Sequence, residues 1–465
     1  HLDWDLSEMP EGARGIWSYG EGAVDKVLPL WQIMLTLYNT GMMHAVEEDG
    51  FGVYWFSEPN FDAESVARRM LPIFHYEKNY FGDGDAQFRV FLRRDPFVDS
   101  NGGSACPYAF ISGYSAYGGA DPERWFNTLL HEMTHTWPSM TDFNVGEGTW
   151  FSEGGTEYYC TILPYKGGFV DAKFTVDRLN EKIRDRYLDN IYRNLSNEEI
   201  AEIQWKDRRA QTVPYGRGFL YLANLEAKLK RLGKGSIDEL VRKHSIIRPV
   251  TPKEWEDFVV EKLGDEGLRD FEDMKAGKIP VLEADLFGSD IVTVPHEIEL
   301  NGKIEQSYHW EVMIAEQRIA SMGIELPAMS EPKAMYVPVV QTGNLCFVSG
   351  QIPMVGDSLV YTGKVGDTRT LEEAQSAAKI CVINALAALK AHLGDLDRIT
   401  RFIKVQAFVA SKVGFDQQHI VVNAASQLLF DIFGEAGRHA RTAVALNQLP
   451  LDATVEIEFI VEIKE

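Results

Sequence analysis

Apolar positions in residues 61–137 alternate between two periods. Val66, Met70, Leu71 and Phe74 recur at helical spacing, so a helix is expected over 62–80, interrupted at Pro72. Phe88, Val90 and Leu92 alternate with Gln87, Arg89 and Arg93, which predicts a strand over 86–94; 50–55 and 109–114 read as further strands. Residues 100–103 read as a turn. A second helix follows: Asp121 is a good N-cap, Pro122 suits the first position and Glu123 the first turn. Trp125, Phe126, Leu129, Leu130 and Met133 form its apolar stripe. Helices are expected again over 219–232, closed by Gly233, and over 237–244 and 252–263.

The ends of the chain read differently. Residues 1–60 are rich in aromatics, glycine and short alternating runs, as if a β domain had been entered partway through; the apolar stretch 31–43 is expected in a core. The pattern breaks near residue 300, and a helix over 309–321 is expected to follow. Beyond it, 345–349 reads as a strand, and Thr370 to Glu373 is a capping box opening a helix closed by Gly394. A strand over 401–409, a helix over 417–433 and a strand over 453–463 complete two helices on one face of a mixed sheet.

Composition narrows the class. The 465 residues carry a formal charge of −23, with 69 acidic against 46 basic side chains, so neither nucleic acid nor an anionic membrane is an expected partner. Cys106, Cys160, Cys346 and Cys381 are far apart and read as free thiols. No apolar run approaches membrane-spanning length. The chain starts at His1, so an export signal ahead of it would make it secreted; otherwise the cytoplasm is the expected compartment.

The second helix holds His131-Glu132-x-x-His135. Residues four apart share a helix face, so the two imidazoles point at one metal ion and Glu132 lies beside its bound water. Such a motif also arises by chance on exposed helices. A peptidase zinc site needs a third ligand, and Glu153 is assigned that place. Glu157, one turn on, either orients a ligand histidine or is a solvated carboxylate.

With Trp150-Phe151-Ser152-Glu153-Gly154-x-Thr156-x-Tyr158-Tyr159, this motif resembles the gluzincin metallopeptidases, most closely the glycyl aminopeptidase family and more distantly aminopeptidase N. Asp5-Leu6-Ser7, Gly12-Ala13-Arg14-Gly15 and Phe81-Gly82 resemble flanking parts of that family. The resemblance spans residues 1 to about 290 and implies a Zn2+-dependent peptidase acting on a peptide substrate, on a thermolysin-like domain with a helical second half. It also implies a tyrosine that donates to the oxyanion. Pro214-Tyr215-Gly216-Arg217-Gly218 makes Tyr215 the candidate, the alternative being a tyrosine packed on Pro214. One departure bears on specificity: Ala105 stands where the family's aminopeptidases carry the acid that holds the substrate amine.

The last third resembles the reactive-intermediate deaminases of the RidA/YjgF family. The match rests on Tyr336-Val337-Pro338, Ser349-Gly350-Gln351-Ile352-Pro353, Gly363-Lys364-Val365-Gly366, Gly437-Arg438-His439-Ala440-Arg441-Thr442 and Val455-Glu456-Ile457-Glu458. The resemblance implies a chorismate mutase-like α/β domain, assembled as a trimer, that hydrolyses a small carboxylate-bearing imine or enamine between subunits. By position, Arg441 clamps the carboxylate, Tyr336 lines the pocket, Gly350 offers backbone and Glu456 helps activate water. Arg441 in a structural ion pair and Glu456 facing solvent are the alternatives.

The expected whole is a multidomain α+β chain: a remnant β domain (1–60), a thermolysin-like peptidase with a helical half (61–300) and a RidA-like domain (301–465). Two other readings remain: a vestigial peptidase half attached to a functional RidA-like trimer, and an artificial join of unrelated modules.

Overall fold

The computed structural model describes residues 1–96, 103–117, 121–141, 148–284, 286–288, 290–328 and 335–464. The chain divides into two compact units, His1–Val312 and Met313–Glu465, each with its own buried apolar core.

The larger unit opens on a small sheet of β1 (Arg14–Trp17), β2 (Gly20–Glu21) and β3 (Tyr38–Gly41), with a one-turn helix α1 (Leu30–Met34) between the last two. A five-stranded sheet follows, in the order β4-β5-β6-β8-β7: β4 (His44–Glu48), β5 (Phe51–Trp55), β6 (Phe88–Asp95), β7 (Gly103–Cys106) and β8 (Ala109–Ser115). The strands β5, β6 and β8 run parallel. Parallel neighbours need a crossover, and α2 (Ala63–Phe81) supplies the first. Asp62 caps it, accepting from the Ser65 amide at 2.8 Å. Gly82, at φ 69°, ends it in the left-handed region that favours glycine.

Helices make up the rest of this unit: α3 (Pro122–Thr134), α4 (Thr149–Lys166) and α5 (Ala172–Leu179), which runs on into a π-helix, Asn180–Leu188. Then come α6 (Asn197–Ile203), α7 (Arg208–Gln211), α8 (Val213–Arg231), α9 (Asp238–Val241), α10 (Pro252–Leu263) and α11 (Asp265–Lys275). The antiparallel hairpin of β9 (Ile291–Leu300) and β10 (Lys303–Val312) closes the unit. The contact between α4 and α8 is close enough to demand glycine. A Cβ on Gly218 would lie 1.8 Å from the Trp150 carbonyl oxygen, and one on Gly154 would lie 2.4 Å from Gly218 Cα.

The smaller unit begins with α12 (Ala315–Ser321). Its mixed sheet has the order β11-β12-β17-β15-β16, built from β11 (Val339–Thr342), β12 (Leu345–Gln351), β15 (Ile399–Ala410), β16 (Ala440–Leu446) and β17 (Val455–Ile463). A short hairpin, β13 (Met354–Val355) and β14 (Ser358–Leu359), stands apart from it. The buried alternation Val455, Ile457, Phe459, Val461 on β17 forms one core with α13 (Leu371–Leu393) and α14 (Gln418–Phe433). Val340 and Phe347, adjacent on β11 and β12, are 52% and 41% exposed. The architecture is α+β in two units.

Several expectations change. Pro72 does not interrupt α2, although it removes one hydrogen bond to Arg68; Met70, Ile73 and Phe74 are all buried around it, and that packing outweighs the loss. Residues 309–312 are strand, not helix: His309 to Val312 pair with Val294 to Ile291, and only Ala315–Ser321 is helical. Residue 300, where the sequence places the domain change, is the last residue of β9 inside that hairpin. Likewise β4 and β5, expected in the remnant domain, share a sheet with β6 and β8. The stretch 31–43 is not core: Trp31 is 46% and Met34 74% exposed, because a one-turn helix offers too little surface to pack. One helix among the described residues, α13, is apolar and long enough to cross a membrane, yet its apolar side chains line the core of the smaller unit. The four cysteines are free. Residues 100–102 of the expected turn lie outside the described residues.

Candidate functional site

Two helices build the site of the larger unit. Asp121 accepts from the Glu123 amide at 3.0 Å and sets the start of α3, whose buried Trp125, Leu129 and Met133 fix its rotation. His131 and Glu132 sit in its last turn and His135 is its C-cap. On α4, Glu153, Thr156 and Glu157 fall within about one turn.

The three expected ligands converge. His131 Nε2 is 3.1 Å from His135 Nε2, and each of those nitrogens is 3.3 Å from Glu153 Oε2. Ligands about 2.0–2.1 Å from a tetrahedral zinc ion are separated by roughly 3.3 Å, so the triangle matches one face of such a site. The opposite ring nitrogens are occupied. His131 Nδ1 donates to Glu157 Oε2 at 3.0 Å, and His135 Nδ1 lies 3.0 Å from Thr156 Oγ1. With the His131 Nδ1 proton held by Glu157, its Nε2 lone pair faces the centre, and Thr156 can accept from His135 Nδ1 to the same end. Glu157 is thus no solvated carboxylate: it is 3% exposed.

Electrostatics point the same way. Burial opposes a charge on Glu153, yet His135 and His131 hold its carboxyl far below the ordinary range. Burial opposes a charge on His131, yet its bonds to Cys160, Glu153 and Glu157 raise its proton affinity well above normal. This set of side chains favours a positive charge at its centre. A second group, His131, Glu157 and Cys160, has ligand atoms within 4.8 Å of one another, but a cation already lies there. The buried Arg178 guanidinium is 2.7 Å from Glu157 Oε1 and donates to Cys160 Sγ at 2.9 Å, Thr161 Oγ1 at 2.9 Å and Asn127 Oδ1 at 2.5 Å. Burial alone would raise the Glu157 pKa; Arg178 first and His131 second bring it down to about 2.

Glu132 responds mainly to burial, which raises its proton affinity above that of a free carboxylate, against the pull of both histidines. Tyr215, in the first turn of α8, stacks on the His131 ring at 5.5 Å and 21°. Burial and Glu153 keep its phenol protonated, so it is a donor. Sequence reasoning missed Thr156 and Arg178. Thr156 was findable, beside Glu157 in the same motif; Arg178 belongs to no motif and reaches the site only through the packing of α5 on α4.

On the smaller unit, Arg441 on β16 donates to Asn423 Oδ1 at 2.9 Å and Ser426 Oγ at 3.1 Å, both on α14. Among the described residues no carboxylate pairs with it, so the structural ion pair is not formed. Glu456 on β17 lies against Gly350, where a Cβ would come within 1.9 Å of Glu456 Oε1. Burial, then Glu458, raises the Glu456 pKa. Tyr336 is 54% exposed. Arg441 and Glu456 are not brought together within one chain. Arg441 pairs across β15 with Val405 and Glu456 with Phe408, which separates their backbones by roughly 14 Å at ordinary strand spacings.

The smaller unit is therefore an α/β domain whose candidate residues lie apart along the sheet. The profile of the YjgF/chorismate mutase-like, putative endoribonuclease family matches residues 316–463. The protein TCP17 of Trypanosoma cruzi is 41% identical over 156 residues, 32% of this chain and 98% of that protein. HMF1 of Saccharomyces cerevisiae is 29% identical over 127 residues, 27% of this chain and 83% of that protein. Through its last third the chain belongs to this YjgF/RidA-like family. Among solved structures, Atu1372 of Agrobacterium tumefaciens is 47% identical and covers 33% of this chain and 94% of its own, with a TM-score of 0.31. An aminopeptidase N family protein of Idiomarina loihiensis is 13% identical and covers 61% of this chain and 56% of its own, with a TM-score of 0.46.

Proposed function

We propose that the larger unit is a zinc-dependent peptidase of gluzincin type, with the smaller unit a RidA-like domain on the same chain. The observation that carries the first reading is the triangle of His131 Nε2, His135 Nε2 and Glu153 Oε2, with edges of 3.1–3.3 Å. Two neutral imidazoles and one carboxylate are the donor set that zinc accepts in hydrolytic sites. A zinc ion bound there would acidify a water and polarise the scissile carbonyl. Glu132, its proton affinity raised by burial, would act as the general base and then the general acid, moving a proton from the attacking water to the leaving amine. Tyr215, kept as a phenol, donates to the developing oxyanion. Glu157 holds the His131 imidazole in the required tautomer, and Thr156 positions the His135 ring. No carboxylate lies on β7 (Gly103–Cys106), where Ala105 stands, so that strand offers no acidic side chain to a substrate amine.

Purified protein is expected to contain about one zinc per chain. Glu132→Ala is expected to keep the metal and to lose peptide hydrolysis by roughly 10²–10⁴-fold or more. A chain that neither holds zinc nor cleaves peptides sinks this reading and leaves the larger unit as a vestigial scaffold.

For the smaller unit, family membership and the Arg441 guanidinium that no described carboxylate neutralises support hydrolysis of a carboxylate-bearing imine or enamine. The separation of Arg441 and Glu456 in one chain is compatible with a site completed between copies, and the resemblance to the RidA/YjgF family makes that assembly a trimer. Arg441→Ala should remove 2-imino acid hydrolysis and leave peptide hydrolysis intact; a strictly monomeric protein in light scattering rules the shared site out.

A further inference from the structure

Away from α3 and α4, two other histidines meet at ligand distance. His296 on β9 stands opposite Ser307, and His309 on β10 stands opposite Val294, so the two rings are diagonal neighbours on one face of the hairpin. Their Nδ1 atoms are 3.3 Å apart and their ring centroids 5.1 Å apart. That is the separation found between Glu153 and the imidazoles of the first site.

The third member of the group is a carboxylate placed to act through a ring rather than on the ion. His309 Nε2 donates to Glu311 Oε1 at 3.0 Å, which commits the Nε2 proton and leaves Nδ1 of His309 with a lone pair. A carboxylate on the far ring nitrogen is the usual support of a metal-binding histidine, and it raises the basicity of the ligand atom. Between the two Nδ1 atoms there is then room for one proton, donated by His296, or for one metal ion in its place. The His309 side chain is 28% exposed, so an ion has access from solvent.

We propose that His296 and His309 form an accessory site for a divalent transition-metal ion that prefers nitrogen ligands, with water filling the remaining positions. Zn2+ and Cu2+ fit this donor set; Mg2+ and Ca2+, which take oxygen ligands, do not. Bound there, the ion ties β9 to β10 through side chains in addition to the backbone ladder. The site does not depend on the peptidase reading.

The test is a titration of metal-stripped full-length protein with Zn2+ alone, read by calorimetry. With Zn2+ in excess the wild-type chain should take up two equivalents, one more than the single ion expected to survive purification. His309→Ala and the milder His296→Gln should each remove one, with circular dichroism showing the fold retained, and His131→Ala should remove the other. With Cu2+ on the His131→Ala chain, electron paramagnetic resonance should show two coupled imidazole nitrogens, and one after His309→Ala is added. Loss of a single equivalent in His309→Ala from a wild-type chain that binds only that one upholds the accessory site and overturns the first. Zinc uptake that is unchanged in both His309→Ala and His296→Gln overturns the proposal.

Discussion

Arg178 decides the charge on the inner side of the candidate metal centre. It is almost fully buried, and so is its partner Glu157. Removing one member of such a pair leaves an uncompensated charge in a dry interior. Arg178→Leu is therefore expected to cost about 3–5 kcal/mol in a denaturant melt. It should also weaken zinc roughly 10–100-fold in competition with a chelator, because Glu157 would no longer hold His131. Unchanged metal affinity in a folded Arg178→Leu protein counts against a positioning role. Glu77 offers a cleaner pH signature. Thr134 Oγ1 lies 2.9 Å from the Leu130 carbonyl and 3.0–3.2 Å from both Glu77 oxygens. A hydroxyl has one proton, so Thr134 donates either to the Leu130 carbonyl or to the Glu77 carboxyl, and a bond to the latter favours its charged form. Burial pushes this carboxyl up to about 8 from an ordinary 4.5, against the pull of Thr134. The folded chain thus keeps a proton that the unfolded chain releases, and stability falls as pH rises between those values, levelling above about 8. Glu77→Gln should remove that slope: no gain at pH 4, and a gain on the order of a few kcal/mol at pH 8. Equal stability of the two proteins at pH 8 would refute the assignment. At this scale the sequence was most legible where chemistry and helical spacing coincide. His131, His135, Glu153 and Glu157 are set by i, i+4 geometry on two helices. Arg178 and Glu77 were invisible because their partners are 21 and 57 positions away, on other helices.

At the scale of elements, the contact of α4 with α8 relates Glu153, a candidate ligand, to Tyr215. Gly154 and Gly218 face each other with no room for a methyl group. Gly218→Ala must push the helices apart; a loss of roughly 1–3 kcal/mol is expected, and kcat for peptide cleavage should fall while zinc content holds. A fall in kcat no larger than the change in folded fraction would show that the helix spacing does not set the Tyr215 position. The clearest elements were those whose caps are explicit in the sequence: Asp121 for α3, and Thr370 and Gly394 for α13. The failures have two causes. Pro72 and the strand at 309–312 were decided by tertiary partners, against which local propensity is a weak prior, whereas the stretch 31–43 stays exposed because its one-turn helix is too short to pack.

At the scale of the whole molecule, each unit has its own main core among the described residues. One gathers residues from Val46 to Trp310 and the other from Ala315 to Ile463. The sequence disclosed that there were two modules through their different motifs. It misplaced the seam, because β9 and β10 carry an alternating pattern that belongs to neither helix-rich neighbour. Within the smaller unit, Arg441 and Glu456 were both identified by position, but their separation across β15 could not be read before the strand order was known.

Two cores also mean two melting events. A chain of this kind need not unfold as one cooperative unit, so a single transition temperature is not a property it must have. In a calorimeter the heat signal should resolve into a component for each core. Addition of a chelator should lower the component of the larger core, since a ligand raises only the transition of the part it binds. The component that stays put belongs to the smaller core, and its position should instead follow protein concentration if copies of that unit associate.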